Sequence, residues 1–249
     1  MKFYEFFKRQ ILLAHVSRIP VRIDFRWLFV FALMTWLTAN RIQPLTENYP
    51  TSFIFGILTT IVLFASIFLH EFAHAVFARR EGIEVLEIVL HPFGGLTRLG
   101  REPDTPQAEF RIAVAGPLAS FVLAILFLGL TILFNSADTN ILRDIFFYLC
   151  LLNFLLGIFN LFPGYPLDGG RVLRAFLWRR GKDLNEATIL TGRFGQIIAV
   201  VLIGFGVFLV IVNGDIFNGF WAGLVGFFLY DSAKSIIVEV KNFDQLKVE

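Results

Sequence analysis

Long apolar runs separated by short polar loops set the pattern of this chain. The runs fall at about 25–39, 53–78, 111–134, 145–162, 194–212 and 216–233. A spanning helix needs about 20 mostly apolar residues; the first run is short by that measure. The six runs predict six transmembrane helices. The last two are joined by the tight polar turn NGDIFNG and predict a hairpin. Between the second and third runs the pattern changes. EVLEIVL (84–90) is rich in β-branched and large apolar residues, PFGG (92–95) supplies a turn, and LTRLG (96–100) can return as a second strand. Either strand has to hide its unpaired edge or offer it to something. The expected fold class is therefore an all-α polytopic membrane protein, with six transmembrane helices and a small β element in the loop between helices 2 and 3. No break in composition and no Pro/Ser-rich linker divides the chain, so 1–249 is read as a single membrane-embedded domain.

Composition sharpens this picture. The chain is 56% hydrophobic with 31 Phe, and only 17% charged, where a soluble globular chain has about 25%. The net charge of +2 suggests no nucleic-acid partner. Cys150 is the single cysteine, which excludes an intrachain disulfide and a cysteine-based metal site. Lys and Arg alternate by loop. Lys2, Lys8, Arg9, Arg18 and Arg22 precede the first run. Arg79, Arg80, Arg98 and Arg101 lie between the second and third. Arg171, Arg174, Arg179, Arg180, Lys182 and Arg193 lie between the fourth and fifth, and Lys234, Lys241 and Lys247 follow the last. The other loops hold only Arg41 and Arg143. By the positive-inside rule both termini are cytosolic in a multi-pass protein of the cell membrane. MKFYEFFKRQILLAHVSR at the start mixes aromatics with charges and lacks a secretion-signal cleavage site, and reads as an amphipathic segment on the membrane surface. Arg171, Arg174, Arg179 and Arg180 read as anchors to anionic headgroups. Gly219 with Gly223, and Gly204 with Gly206, are small-residue patterns that let helices approach.

The second run contains FLHEFAHAVF (68–77), which sets His70, Glu71 and His74 among apolar residues. Ionisable groups inside a span are costly and mark function. His70 and His74 are four apart and share a helix face, so they can bind one metal ion, with Glu71 beside them to act on its water. A catalytic zinc usually has three protein ligands. His15 precedes the first span, His91 follows a predicted strand, and Cys150 lies near mid-membrane. Asp168 in NLFPGYPLDGGR fits better, because Pro163, Gly164 and Pro166 break the chain after the fourth span. The broken segment can fold back toward the depth of the histidines. The same position also suits a helix N-cap before GGRVLRAFLWRR.

With these residues in place the sequence resembles the site-2 protease family of intramembrane zinc metalloproteases. The resemblance rests on HEFAH (70–74), FGG (93–95), AGPLAS (115–120) and NLFPGYPLDGG (160–170). It implies a catalytic core over about 53–180 and one Zn2+ per chain held by His70, His74 and Asp168. It also implies Glu71 as the catalytic carboxylate and Asn160 as a polar group near the reacting carbonyl. Many relatives carry Asn where this chain has Ser120. The implied activity is hydrolysis of a peptide bond within or near a transmembrane helix of a substrate protein, in regulated intramembrane proteolysis. Zinc-activated water is the nucleophile and Glu71 the general base. An unwound substrate helix could regain lost hydrogen bonds by pairing with the 84–90 or 96–100 strand. The alternatives are a metal transporter, which needs no general base, and a non-catalytic scaffold, which needs neither Glu71 nor the ligands.

Overall fold

The computed structural model describes residues 10–46, 48–91, 94–135 and 140–246. Among the described residues, four strands and seven α-helices follow in chain order. They are β1 (Gln10–Val16), β2 (Ile19–Asp24), α1 (Trp27–Ile42), α2 (Tyr49–Arg80), β3 (Val85–His91), β4 (Gly94–Leu99), α3 (Pro106–Leu133), α4 (Asn140–Asn160), α5 (Asp168–Arg179), α6 (Leu184–Asn213) and α7 (Ile216–Leu246). Two compact units divide the chain. The first holds Met1–Glu102 and Ala115–Ile158, the second Pro103–Val114 and Phe159–Glu249.

In the first unit the strands form one sheet in the order β1-β2-β3-β4. β1–β2 and β3–β4 are antiparallel hairpins, and β2 pairs in parallel with β3 through Val21↔Ile88, Arg22↔Val89 and Ile23↔Leu90. A parallel pair needs a crossover, and here α1 and α2 supply it. β2 alternates as a half-buried strand does, with Ile19, Val21 and Ile23 buried. Its turn to β1 places Ser17 and Arg18 at positive φ, and Arg79 at the end of α2 donates to the Ser17 carbonyl at 2.6 Å.

This sheet corrects three expectations. Residues 10–18 are not an amphipathic surface segment but strand β1 and its turn; residues 1–9 lie outside the described residues. The β element is not confined to the loop after the second span, since its other half comes from 10–24. The 84–90 strand has no free edge, because β3 is paired on both sides; among the described residues the open edges are β1 and β4. Of the turn expected at 92–95, Pro92 and Phe93 lie outside the described residues, while Gly94 and Gly95 open β4.

Among the described residues, five helices are long and apolar enough to cross a membrane: Tyr49–Arg80, Pro106–Leu133, Ile141–Asn160, Leu184–Asn213 and Ile216–Asn242. α1 has 16 residues, roughly 24 Å at 1.5 Å per residue, against a hydrocarbon core of about 30 Å. It packs on α2, where a Cβ at Gly56 would sit 2.8 Å from the Thr35 carbonyl oxygen, and where Trp27 meets Phe64 at 4.4 Å between centroids. Buried Ile42, Phe127, Ile145 and Leu149 form an apolar cluster in the same unit. Asn153, fully buried, donates to the Leu149 carbonyl at 2.8 Å and to Ser66 Oγ at 3.3 Å, tying α4 to α2. Hydrogen bonds of this kind join helices where no water competes.

In the second unit α6 and α7 form the expected hairpin. A Cβ on Gly206 would lie 2.6 Å from the Gly219 carbonyl oxygen, and one on Gly219 would lie 2.6 Å from the Gly206 carbonyl oxygen, so these two glycines set the approach, whereas a Cβ on Gly204 or Gly223 would meet nothing within 4 Å. Leu167, Ala199 and Leu229 make the buried cluster beside it. Gly206→Ala is expected to cost about 1–3 kcal/mol through overpacking against backbone, read as a lower unfolding midpoint in detergent.

Candidate metal centre

α2 begins cleanly, with Asn48 as N-cap accepting from the Thr51 amide at 3.0 Å and proline in its first turn. Its 32 residues then carry His70, Glu71 and His74, which are 4%, 7% and 3% exposed. The one-turn spacing brings His70 Nε2 and His74 Nε2 to 3.3 Å. Two nitrogens bound tetrahedrally at about 2.0–2.1 Å from one zinc ion lie roughly 3.3–3.4 Å apart. The pair is therefore spaced as two ligands of one ion. His70 Nδ1 meets Ser120 Oγ at 2.9 Å. With the hydroxyl accepting, the Nδ1–H tautomer leaves the Nε2 lone pair for the metal. Ser120 thus does for His70 what an amide oxygen could do at that position.

α3 passes this point through Gly116. A Cβ there would stand 2.2 Å from His74 Nε2 and 2.6 Å from His70 Nε2, in the space a metal ion needs. That is the physical content of AGPLAS. Gly116→Ala is expected to displace both rings and lower zinc affinity at least about tenfold, checked by competition with a chromophoric chelator.

β4 covers Glu71. Thr97 Oγ1 is 2.8 Å from Glu71 Oε2 and 3.0 Å from the Glu71 carbonyl oxygen. A Cβ on Gly95 would collide with Glu71 Cγ at 2.2 Å. The carboxylate is thus held from above by a hydroxyl and leaned on by bare backbone. His91, at the end of β3, is half-buried. Burial holds its imidazole below the usual range, with Glu71 and Asp24 pulling the other way. His15 pairs with Pro20 in the first hairpin, and Cys150 lies within α4.

Asn160 and Asp168 belong to the second unit. Asn160 is the last residue of α4. Asp168, 9% exposed, is the first residue of α5. The N-cap is Leu167, in extended backbone with no side-chain cap bond, so Asp168 does not serve as the cap. The helix dipole at this end favours its carboxylate. The turn before it lies close against the residue after it: a Cβ on Gly169 would lie 2.2 Å from the Leu161 carbonyl oxygen.

Two features escaped the sequence. Thr97 and the buried pair Glu109–Arg174 carry no signal of their own in an unaligned chain, and Gly116 is legible only as part of AGPLAS. Arg174 is not a headgroup anchor: it is 5% exposed and bonded to Glu109.

A mostly helical chain with a small sheet, five helices apolar enough to cross a membrane and a helix carrying two histidines and a glutamate has the make-up of a membrane metallopeptidase. The model of peptidase family M50 matches residues 58–138 and 131–203, and the chain belongs to that family. Putative zinc metalloprotease Rip3 of Mycobacterium tuberculosis is 39% identical over 227 residues, covering 90% of this chain and 58% of the relative. Putative zinc metalloprotease sll0528 of Synechocystis is 35% identical over 233 residues, covering 93% of this chain and 60% of the relative. The chain thus spans little more than half the length of these relatives. The solved site-2 protease from Methanocaldococcus jannaschii is 29% identical, with a TM-score of 0.64 over 92% of this chain and 95% of that one.

Proposed function

We propose that this chain is an intramembrane zinc metalloprotease that hydrolyses a peptide bond within or near a transmembrane helix of a substrate protein. The observation that carries the reading is the buried pair of Nε2 atoms at 3.3 Å with Glu71 beside it. His70, His74 and Asp168 hold one zinc ion; all three are buried and each offers one donor atom. Bound there, zinc supplies Lewis-acid activation of water and of the scissile carbonyl. Glu71 takes a proton from the attacking water and passes it to the leaving amine. Thr97 keeps that carboxylate aimed, and Asn160 donates to the carbonyl oxygen as charge develops there. The two units act as one membrane-embedded domain, with its catalytic core over about 53–180.

α1 is the sixth, short span. β2 enters α1, α2 returns to β3, and β2 and β3 are neighbours, so residues 10–24 lie on the side of Arg79, Arg80, Arg98 and Arg101. Four further spans follow, an even number, and both termini are cytosolic in the cell membrane. The open edge of β4, one strand from Glu71, accepts the unwound substrate segment by strand addition. The physiological role is regulated intramembrane proteolysis.

The test mixes purified protein in detergent with single-span substrates and compares wild type with a zinc-chelated sample. Cleavage that stops on chelation and returns with added zinc supports the reading. Cleavage that persists without zinc refutes it.

A further inference from the structure

We infer that Glu109 and Arg174 are positioning residues for Asp168, a role that rests on the metal-site reading above. Glu109 lies in the first turn of α3 and is 0% exposed; Arg174 lies midway along α5. Arg174 Nε donates to Glu109 Oε1 at 2.6 Å, and Nη2 closes on the same oxygen. Nη1 reaches Thr188 Oγ1 of α6 at 3.5 Å, and the guanidinium stands 5.5 Å from the Tyr165 ring centroid. The Tyr165 amide in turn donates to the Thr191 carbonyl at 3.2 Å. Arg171 Nε lies 4.0 Å from the same Glu109 oxygen.

One guanidinium therefore joins α3, α5, α6 and the turn that leads into Asp168. Arg174 follows Asp168 by six residues, roughly 9 Å along the helix at 1.5 Å per residue. Its fork fixes both the rotation and the advance of α5, because Arg presents its donors in one plane. Stability alone does not explain the pair. A buried ion pair replaced by apolar side chains of similar volume is often as stable or more so, and this chain is 56% hydrophobic. What apolar packing lacks is a directional bond that admits one register. A ligand at the end of α5 needs that register, since a shift of about 1 Å at a reacting centre can cost 100-fold in rate.

The test uses the full chain in detergent with the double variant Glu109→Met/Arg174→Met. Zinc affinity of the folded protein is measured by chelator competition, and unfolding of the zinc-free protein by a thermal scan. The expected result is an unfolding midpoint within about 5 °C of wild type and zinc affinity about 10–100-fold weaker, with kcat lowered more than KM is raised. A purely structural pair would give the opposite: a lower midpoint and unchanged affinity of the folded fraction. Asp168→Asn is run in the same titration. If Asp168→Asn loses zinc and the double variant does not, the positioning role is overturned and the ligand set stands. If Asp168→Asn also binds as wild type, the ligand reading itself has failed. Should the double variant not fold, Arg174→Lys carries the test. It keeps the charge and loses the fork, and about tenfold weaker zinc binding is expected; wild-type affinity overturns the proposal.

Discussion

Glu71→Gln is expected to lower kcat on a single-span substrate by about 10²–10⁴-fold, the usual contribution of a positioned general base, while zinc remains bound at wild-type stoichiometry. The amide keeps the shape of the carboxylate and can still bond to Thr97 Oγ1, which now sits 2.8 Å from Glu71 Oε2. What it cannot do is accept a proton at neutral pH. Glu71 is not itself in the ligand set, so zinc content is the control that separates lost chemistry from lost metal. Metal content by atomic emission beside the cleavage rate gives both numbers from one preparation. A variant that cleaves at the wild-type rate would remove Glu71 from the mechanism. Zinc flux that survives Glu71→Gln, with no cleavage by either protein, would instead favour a transport role, in which the same donor residues pass an ion without a base.

Asp168→Asn is the second large effect, and it has a different signature. A neutral amide is a poor zinc ligand, and the two imidazoles carry no charge to offset the dication. Zinc affinity is expected to fall by at least about 100-fold, with activity recovering in part at high added zinc. Chelator titration across a range of free zinc reads the shift directly. Glu71→Gln and Asp168→Asn thus separate in one plot: the first is inactive with metal, the second inactive for want of it. The helix N-terminus at Asp168 favours the ionised carboxylate, so Asp168→Glu is the conservative control. It keeps the charge but lengthens the arm, and its affinity is expected between the two.

Much of this was legible in the sequence, and the reason is locality. Five of the six expected spans, the two strands after the second span, and the one-turn spacing of His70 and His74 are all patterns within a short window. α2 could be drawn from its apolar run, and β3 and β4 from EVLEIVL and LTRLG with the turn between them. Pairings between distant segments were not legible. β2 reaches β3 across more than sixty residues; its own signal, the alternation of Ile19, Val21 and Ile23 with polar or small neighbours, was masked by the basic, aromatic start of the chain. Arg174 looked like its exposed neighbours Arg179 and Arg180, because a basic residue near a span end is usually solvated. Only the fold places the Glu109 carboxylate against it. Gly116 was read as part of a motif, but its reason, a backbone so near two ring nitrogens that an added Cβ would stand 2.2 and 2.6 Å from them, exists only in three dimensions.

A zinc ion bound by nitrogen and oxygen from this chain is the centre of the proposed mechanism. X-ray absorption at the zinc edge of the purified protein tests it most directly. The expected first shell holds two imidazole nitrogens and carboxylate or water oxygen at about 2.0–2.2 Å, with no sulfur, and one shell oxygen changes in Asp168→Asn. A shell without imidazole scattering, or a spectrum identical in wild type and Asp168→Asn, would contradict it.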